Sequence, residues 1–223
     1  MTALEARKGI AAFRLGPDTA KRALDLAVAA VLFAALAPVL AVLMLLVRAT
    51  SAGPALFRQQ RLGRDQRPFT MLKLRTMHVG RDDRIHREYV TGLLSPGGEA
   101  FAAPGRGLYK LDADPRVTRV GGWLRRTSLD ELPQLCNVLR GQMSLVGPRP
   151  VLPWEAELFG EAYRRRFAVK PGLTGLWQVS GRSRLSMATA LELDVEYVAR
   201  RSFRLDLVIL IRTVPALLRG GAR

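Results

Sequence analysis

The sequence has little cysteine and shows no internal repeat. Its single cysteine, Cys136, cannot form an internal disulfide, so a disulfide-stabilised scaffold is excluded. Hydrophobic residues make up 48% of the 223 residues and charged residues 24%, close to ordinary globular usage, which argues against disorder. A chain of this length accommodates one well-packed domain with an appendage and is short for two full domains.

Acidic residues are scarce relative to basic ones. The chain has 19 Asp and Glu against 35 Lys and Arg, so its formal net charge is +16. A protein with this charge attracts polyanions, which leaves three classes of partner open: nucleic acid, an anionic membrane surface and phosphate-bearing small molecules. The charge alone does not distinguish between them.

The N-terminal part of the chain contains a long apolar segment. The 22 residues from Leu26 to Val47 carry no charged or polar side chain and are interrupted only by Pro38. A helix of this length covers about 33 Å, enough for a hydrocarbon core of about 30 Å. The segment is longer than the apolar part of a signal peptide, and the rest of the chain is too small to bury it as a core helix. It therefore indicates membrane association and argues against a nucleic-acid-binding protein.

The flanks of the apolar segment leave its topology open. Basic flanks favour the cytoplasm, so equal positive charge on both sides favours neither orientation of a span and fits a re-entrant hairpin. Pro38 would allow the helix to bend back towards the face it entered, provided that protein packs against the freed backbone. From the residues alone, a re-entrant and a spanning segment are both open. The flanking basic residues are Arg7, Lys8, Arg14, Lys21 and Arg22 before the segment, and Arg48, Arg58, Arg61, Arg64 and Arg67 after it.

Turn residues divide the next part of the chain. Two short apolar runs between Ala55 and Met77 are separated by Gly63 and Pro68, a pattern typical of a β-hairpin. The segment from Gly80 to Gly107 is rich in glycine, proline and charge. It predicts a surface excursion with one short helix around Asp82 to Leu94.

Two later segments have the pattern of basic amphipathic helices. The segment from Trp154 to Phe167 places apolar residues on one stripe beside three arginines, and the segment from Asp206 to Leu218 is strongly apolar with interspersed arginines. Helices of this kind lie in the membrane interface, or they face the core with their arginines in solvent.

Two adjacent carboxylates, Asp130 and Glu131, precede an apolar stripe that predicts a helix ending near Gly141. Pro133 fits only the first turn of this helix, which makes Asp130 the predicted N-cap. Adjacent side chains on a helix diverge by about 100°, so the two carboxylates cannot act on one face as a glycosidase pair does. They could hold a magnesium ion together with substrate phosphates, provide a nucleophile towards a phosphoryl group, or simply cap the helix.

Basic residues in three loops are suited to phosphate contact. Arg149 lies between two prolines that stiffen its loop, and a stiff arginine suits bidentate binding of phosphate. A glycine-rich loop begins at Lys170 and ends at Arg182, and its glycines allow backbone amides to approach an anion. Lys73 and Arg75 form a third basic cluster. Each of these residues, taken alone, could instead be a solvated surface charge.

Five motifs follow one another along the chain: Lys73-Leu-Arg-Thr-Met77, Asp114-Pro-Arg-Val-Thr118, Ser128-Leu-Asp-Glu-Leu-Pro-Gln-Leu135, Met143-Ser-Leu-Val-Gly-Pro-Arg-Pro150 and Lys170-Pro-Gly-Leu-Thr-Gly-Leu-Trp-Gln-Val-Ser-Gly-Arg182. Together they resemble the bacterial sugar transferases, the monotopic phosphoglycosyl transferases. The resemblance covers about Lys21 to Leu218, and five motifs in one order are far more specific than any single pattern. The length is similar to that of compact members, including those that begin exopolysaccharide repeat units.

The resemblance implies an α/β, mostly helical fold in a monotopic membrane protein, with a re-entrant N-terminal helix hairpin broken at Pro38 and interfacial amphipathic helices. It implies a basic tail over residues 1–20, a re-entrant membrane helix over residues 21–50 and a catalytic domain over residues 51–223. The expected location is the bacterial inner membrane, with the catalytic domain on the cytoplasmic face.

The resemblance also implies a reaction. A sugar-1-phosphate, expected to be a hexose-1-phosphate, is transferred from a UDP-sugar to undecaprenyl phosphate with release of UMP, as the first membrane step of exopolysaccharide or related glycoconjugate synthesis. Asp130 would form a covalent phosphosugar intermediate, and Asp130 with Glu131 would hold Mg²⁺. The residues implied to bind substrate are Lys73, Arg75, Arg149, Arg182 and Asp194.

Anionic membrane lipids are further expected partners, nucleic acid is not, and the sequence indicates no oligomeric state. The alternative function is a non-catalytic membrane scaffold for polysaccharide assembly. The intact pair of Asp130 and Glu131 argues against that alternative.

Overall fold

The computed structural model describes residues 17–80, 84–94, 114–181 and 185–218. Its first element is one long helix, α1, over Pro17–Thr50. Asp18 in the first turn and Arg48 in the last complement the helix dipole. At 34 residues, α1 is about 51 Å long. In the described part of the chain it is the one helix that is long and apolar enough to cross a membrane.

The predicted hairpin at Pro38 is not confirmed, because α1 is assigned as a single helix with Pro38 inside it. Most of α1 is exposed, and Val31, Val42 and Leu45 each expose more than 60% of their surface. A mostly apolar and exposed helix is compatible with membrane association. The remainder of the chain touches α1 near both of its ends.

The predicted β-hairpin is confirmed. Strands β1 (Leu56–Leu62) and β2 (Pro68–Leu74) pair antiparallel, with Leu56 opposite Leu74. A tight connection over residues 63–67 contains a one-turn 3-10 helix, Arg64–Gln66. Alternation along β2 turns Phe69 and Met71 into the main core on one face, while Leu74 on the other face packs in a second cluster with Leu43 and Val47 of α1.

Two helices and a sharp turn follow the hairpin. The predicted helix near Asp82 to Leu94 is confirmed as α2, Arg84–Leu94, and the rest of Gly80 to Gly107 lies largely outside the described residues. Helix α3 (Arg119–Thr127) begins at Thr118, whose hydroxyl accepts the N–H of Gly121 at 2.9 Å. It ends at Ser128, which has a left-handed φ of 57°.

The prediction that Asp130 caps the next helix is wrong. The left-handed Ser128 starts a one-turn 3-10 helix, Leu129–Glu131, and α4 begins only at Gln134, with Pro133 at its N-cap position. Pro133 lacks an N–H and separates the two helical turns. Asn137 of α4 then fixes this helix to β2, because its side chain accepts the N–H of Leu72 at 3.1 Å and donates to the carbonyl of Thr70 at 2.7 Å.

The polypeptide after α4 forms a second small sheet among short helices. Strands β3 (Ser144–Val146) and β4 (Gly172–Thr174) pair parallel. The segment from Trp154 to Phe167 is not one amphipathic helix but three short pieces. These are α5 (Pro153–Glu157), α6 (Glu161–Arg164) and a 3-10 turn (Arg165–Ala168), and Phe167 is buried in the core.

Three further helices complete the described chain: α7 (Leu176–Ser180), α8 (Met187–Arg200) and α9 (Phe203–Leu218). The predicted C-terminal amphipathic helix corresponds to α9. Its exposed apolar residues, Phe203, Leu207, Ile211 and Val214, lie at helical spacing on one stripe. The fold is thus mostly helical with two two-stranded sheets in the described residues, in agreement with the predicted class.

Candidate active site

One cavity, with a volume of about 1020 Å³, connects α1 with the turn that carries Asp130. Near α1 its lining is apolar and includes Ala41, Met44 and Leu45. Beyond these residues its lining is rich in charged side chains, which include Arg48 at the end of α1 and, outside α1, Arg61, Lys73, Arg75, Asp114, Arg116, Arg125, Asp130, Arg149 and Glu155. A concave site with apolar and polar parts suits a ligand that has both.

Asp130 lies in the 3-10 turn and is only 5% exposed, yet it lines the cavity. The left-handed Ser128 makes this placement possible, because it turns the chain sharply between α3 and the 3-10 helix. This carboxylate faces a cavity whose charged lining residues are mainly basic and attract a phosphate group. It is therefore suited to attack, or to bind, an electrophilic phosphorus atom.

Glu131, the neighbour of Asp130, faces two of the predicted phosphate-binding residues. Lys73 Nζ lies 3.1 Å from Glu131 Oε1, and Arg149 Nη1 lies 3.8 Å from the same oxygen. Strand β2 carries Lys73, and the loop after β3 carries Arg149. The structure therefore brings together four residues that the sequence predicted, Lys73, Asp130, Glu131 and Arg149, from three separate segments of the chain.

Arg125 is a charged residue of this cluster that sequence reasoning missed. It lies in the last turn of α3 and lines the same cavity as Asp130. Burial lowers its pKa, and attraction to Asp130 acts in the opposite direction. Arg125 precedes Asp130 by five residues in the chain. The sequence does not show that the turn at Ser128 brings both residues to the same cavity.

Asp114 and Arg116 form a second missed pair in the cavity lining. Arg116 binds both carboxylate oxygens of Asp114, with Nη2 at 2.8 Å from Oδ2. This hydrogen bonding lowers the pKa of Asp114. The motif Asp114-Pro-Arg-Val-Thr118 was the available signal, but the motif alone does not show that its charges reach the cavity.

Arg75, predicted to bind substrate, connects the cavity to α1. Its Nη2 donates to the carbonyl of Ser51 at 2.7 Å, just beyond the end of the helix. Its Nε and Nη1 are buried with no hydrogen-bond partner in the described residues, and the side chain lines the cavity. Gly53 makes room for it, because a Cβ there would lie 2.3 Å from Arg75 Nη1. Arg75 can therefore bind an anion in the cavity and, at the same time, hold the C-terminal end of α1 in place.

Asp194 is not among the described residues that line the cavity. It lies beneath the loop that carries Arg149. It is 2% exposed, and Arg166 Nη2 lies 2.5 Å from its Oδ2. The same nitrogen of Arg166 donates to the carbonyl of Arg149 at 2.7 Å. This arrangement supports a positioning role for Asp194 more directly than contact with substrate.

The stability of the fold is expected to depend on Asp194 between about pH 4 and pH 6. Burial raises the pKa of this carboxyl from 3.8 to about 6, and its attraction to Arg166 offsets only part of the burial. The folded protein therefore keeps the proton over a range in which the unfolded chain has lost it. The resulting contribution to stability is full below about pH 4 and declines by about 3 kcal/mol as the pH rises to about 6.

Thermal unfolding of wild type and Asp194→Asn across this range measures the effect. Wild type should lose stability relative to the variant as the pH rises, because asparagine does not titrate. A difference in Tm between the two proteins that does not change with pH would contradict the assignment.

Arg182 and Pro38 are the other two predicted residues. Arg182 lies outside the described residues. Pro38 lies within α1, a turn before the part of that helix that lines the cavity.

For a magnesium ion, the site would offer two carboxylates, and substrate would have to complete the coordination. No group of three or more His, Cys, Asp or Glu side chains suited to a metal occurs among residues 17–80, 84–94, 114–181 and 185–218. Mg²⁺ commonly takes one or two protein carboxylates and draws its other ligands from phosphates and water. Asp130 and Glu131 supply the two carboxylates.

Comparison with known proteins identifies the family of this chain. Residues 17–220 match the family model described as bacterial sugar transferase, and the chain belongs to this family. The exopolysaccharide production protein ExoY of Sinorhizobium fredii is 42% identical over 196 residues, 88% of this chain and 84% of that protein.

Two further relatives have names that state a reaction. The UDP-glucose:undecaprenyl-phosphate glucose-1-phosphate transferase of Caulobacter vibrioides is 43% identical over 213 residues, 92% of this chain and 72% of that protein. The undecaprenyl-phosphate galactose phosphotransferase of Salmonella typhimurium is 42% identical over 167 residues, 75% of this chain but 34% of that protein. The predicted class of enzyme, a phosphoglycosyl transferase, is confirmed.

Proposed function

We propose that this protein transfers a hexose-1-phosphate from a UDP-sugar to undecaprenyl phosphate and releases UMP. The observation that carries the proposal is the cavity in which Asp130 lies among Lys73, Arg125 and Arg149 and which continues to apolar residues of α1. Such a cavity suits a charged donor and a lipid-linked acceptor. The names of relatives with 42 to 43% identity support the same reaction.

In the first step, an oxygen of Asp130 attacks the β-phosphorus of the UDP-sugar. The bond from this phosphorus to the bridging oxygen breaks, and UMP leaves with that oxygen. The sugar phosphate stays on the carboxylate as a mixed anhydride. Covalent catalysis of this kind divides one transfer between two substrates into two displacements.

In the second step, a phosphate oxygen of undecaprenyl phosphate attacks the same phosphorus. The bond between phosphorus and Asp130 breaks, the carboxylate is regenerated, and the product is a lipid diphosphate sugar. Both displacements concentrate negative charge on phosphate oxygens. Lys73, Arg125 and Arg149 stabilise that charge, which is the main requirement in phosphoryl transfer.

Mg²⁺ would be held by Asp130 and Glu131, and when bound it would neutralise part of the charge on the diphosphate. Lys73 and Arg149 contact Glu131 in this structure, so they hold its carboxylate beside two residues that line the cavity. Arg182 is proposed to complete the set of phosphate-binding cations, in keeping with its motif. Asp194 pairs with Arg166, and Arg166 in turn holds the backbone carbonyl of Arg149.

The acceptor is proposed to enter along α1. A polyprenyl chain stays in the bilayer, so only its phosphate can reach an enzyme at the interface. Ala41, Met44 and Leu45 give the cavity an apolar side on the helix that would lie in the membrane. The exposed apolar stripe of α9 would rest in the interface, and the net charge of +16 would attract anionic lipids of the inner membrane.

A re-entrant topology with the catalytic domain on the cytoplasmic face is proposed for α1. Arg22 donates to the carbonyl of Val138 at 2.7 Å near the start of the helix, and Arg75 binds Ser51 just beyond its end. The two ends of a spanning segment lie on opposite sides of a hydrocarbon core of about 30 Å. One small domain that contacts both ends fits more readily on one side of the membrane.

Replacement of Pro38 by leucine is expected to favour a spanning segment. Leucine restores the backbone N–H that proline lacks and removes its clash with the preceding turn, so the reason for a bend disappears. A cysteine at the N-terminus (Thr2→Cys in a Cys136→Ser background) should be labelled from the periplasmic side in Pro38→Leu and not in the parent protein. Val39→Leu, at the next and exposed position, is the control. Periplasmic labelling of the parent protein would refute the proposed topology, and the absence of labelling in Pro38→Leu would refute the role of Pro38.

The donor is proposed to be a hexose linked to UDP, and the product to begin an exopolysaccharide or related polymer. Relatives named for glucose and for galactose transfer support a hexose without distinguishing the two. The relative named for exopolysaccharide production supports the type of polymer.

The decisive experiment measures UMP release by protein in nanodiscs with Mg²⁺ and undecaprenyl phosphate, across a panel of UDP-sugars. Release with one donor supports the reaction and identifies the sugar. If folded protein releases no nucleotide from UDP-sugars or from donors with other nucleotides, the catalytic proposal fails and a scaffold role replaces it.

A further inference from the structure

Polar side chains connect the beginning of α1 to the strand that precedes Arg149. Asp25 accepts the backbone N–H of Leu145 at 3.1 Å, and Lys21 donates to the carbonyl of Val146 at 3.2 Å. Both side chains come from the two turns of α1 directly before the apolar run begins at Leu26. They bind the last two residues of β3.

Two buried groups from the C-terminal helices complete this cluster. Asp206 at the start of α9 accepts from Lys21 Nζ at 2.6 Å, and Tyr197 of α8 donates to Asp206 at 2.7 Å. The Tyr197 hydroxyl is also 3.1 Å from the carbonyl oxygen of Val146. We name Lys21, Asp25, Tyr197 and Asp206 the α1 clamp.

The clamp is buried and charged, which is unusual for a simple anchor. Asp25, Tyr197 and Asp206 are each at most 4% exposed. Burial raises the pKa of the Tyr197 hydroxyl, with the charge of Asp206 adding to the effect, so this group remains a donor. Buried ion pairs contribute little net stability compared with apolar packing, and their best-attested use is to specify one arrangement. The apolar surface of α1 would be enough to hold the protein in a membrane.

The α1 clamp fixes the position of the loop that carries Arg149. Strand β3 pairs only with β4 in the described residues, so α1 and α8 supply partners for the rest of its backbone. Gly147 and Pro148, which follow β3, are hydrogen-bonded to β4. Arg149 then comes next, with its carbonyl bound by Arg166. A displacement of β3 would therefore move the Arg149 guanidinium relative to Asp130.

We propose that Lys21 and Asp25 are positioning residues for the reaction, so that seating of the membrane helix and placement of Arg149 are one coupled event. The α1 helix is then part of the active-site framework as well as an anchor. The kinetic consequence rests on the proposed function, whereas the structural coupling does not.

The test compares Lys21→Met, Asp25→Ala and Tyr197→Phe with a matched control in nanodiscs. The control is Asp18→Asn, because Asp18 also lies in the first turns of α1 but forms an exposed pair with Arg201 at 3.3 Å. UMP release gives kcat and KM for the UDP-sugar. Hydrogen exchange of residues 144–150 reports the position of β3 without any substrate. Lys21→Arg tests whether a different cationic side chain at this position supports the same kcat.

We expect kcat to fall about 10- to 100-fold in Lys21→Met and Asp25→Ala, because small displacements of a catalytic group have effects of this size. KM for the UDP-sugar should stay within about twofold, exchange of residues 144–150 should accelerate, and Lys21→Arg should recover most of kcat. Tyr197→Phe, which removes a single hydroxyl, should show the same pattern more weakly and decides the matter if the other variants do not fold.

The proposal would be overturned if Tyr197→Phe and Lys21→Met kept the kcat and the hydrogen exchange of the wild type. It would also be overturned if Asp18→Asn lost as much kcat as those variants. If the wild-type protein itself releases no UMP, the proposed function fails. The exchange measurement then still decides whether α1 holds β3.

Discussion

Asp130→Asn is expected to abolish UMP release while the protein remains folded and membrane-bound. Asparagine matches aspartate in size but lacks the negative oxygen that attacks phosphorus. Loss of a covalent nucleophile commonly lowers kcat by a factor of about a thousand or more. UMP release measures the loss, and the mass of the peptide containing residue 130, after incubation with donor alone, reports the phosphosugar adduct.

The matched control for this experiment is Asp65→Asn. Asp65 lies in the connection between β1 and β2, its side chain is 60% exposed, and it is not among the described residues that line the cavity with Asp130. It should retain activity and adduct formation. Full activity in Asp130→Asn, or a phosphosugar adduct on another residue, would contradict the covalent mechanism through Asp130.

Gly121→Ala is expected to be the most damaging small substitution in α3. A Cβ at this position would lie 2.0 Å from the carbonyl oxygen of Thr76, so α3 could not keep its contact with the chain that follows β2. A clash with backbone cannot be relieved by a change of rotamer, and we expect a loss of about 3 kcal/mol or more in the free energy of unfolding. Because α3 carries Arg125 and leads into Asp130, activity should fall as well.

The adjacent Gly122→Ala provides the control. A Cβ there would meet only the side chain of Val117, at the ordinary contact distance of 3.8 Å. Alanine favours a helix over glycine by about 1 kcal/mol, so this variant should be neutral or slightly stabilised. Thermal unfolding of the two variants in detergent checks the contrast. The same Tm in both would contradict the close packing of α3 on Thr76.

The clearest sequence signals were local ones, and they predicted individual elements well. The apolar run from Leu26 to Val47 indicated an apolar helical segment, although the hairpin expected at Pro38 is not confirmed, and the turn residues Gly63 and Pro68 indicated the β1–β2 hairpin. Both signals depend on residues that are close together in the chain. The same applies to the motifs, whose residue order identified the family before any contact was known.

Local reasoning failed where an element depends on a single unusual backbone angle. The apolar stripe after Asp130 correctly indicated a helix, but the left-handed Ser128 and the position of Pro133 place Asp130 in a separate 3-10 turn. A non-glycine residue adopts such a φ only when surrounding contacts compensate for its cost, and the sequence does not show those contacts.

The sequence by itself determined the family, the long apolar segment of α1 and the types of residue available for phosphoryl transfer, since each is written in composition and short motifs. Only the tertiary structure decided how they combine. It brings Lys73 and Arg149 to Glu131, adds Arg125 to the cavity and buries Asp194 beneath Arg149. These contacts join segments that are far apart in the chain, and they depend on packing and burial, which periodicity along a single chain does not encode.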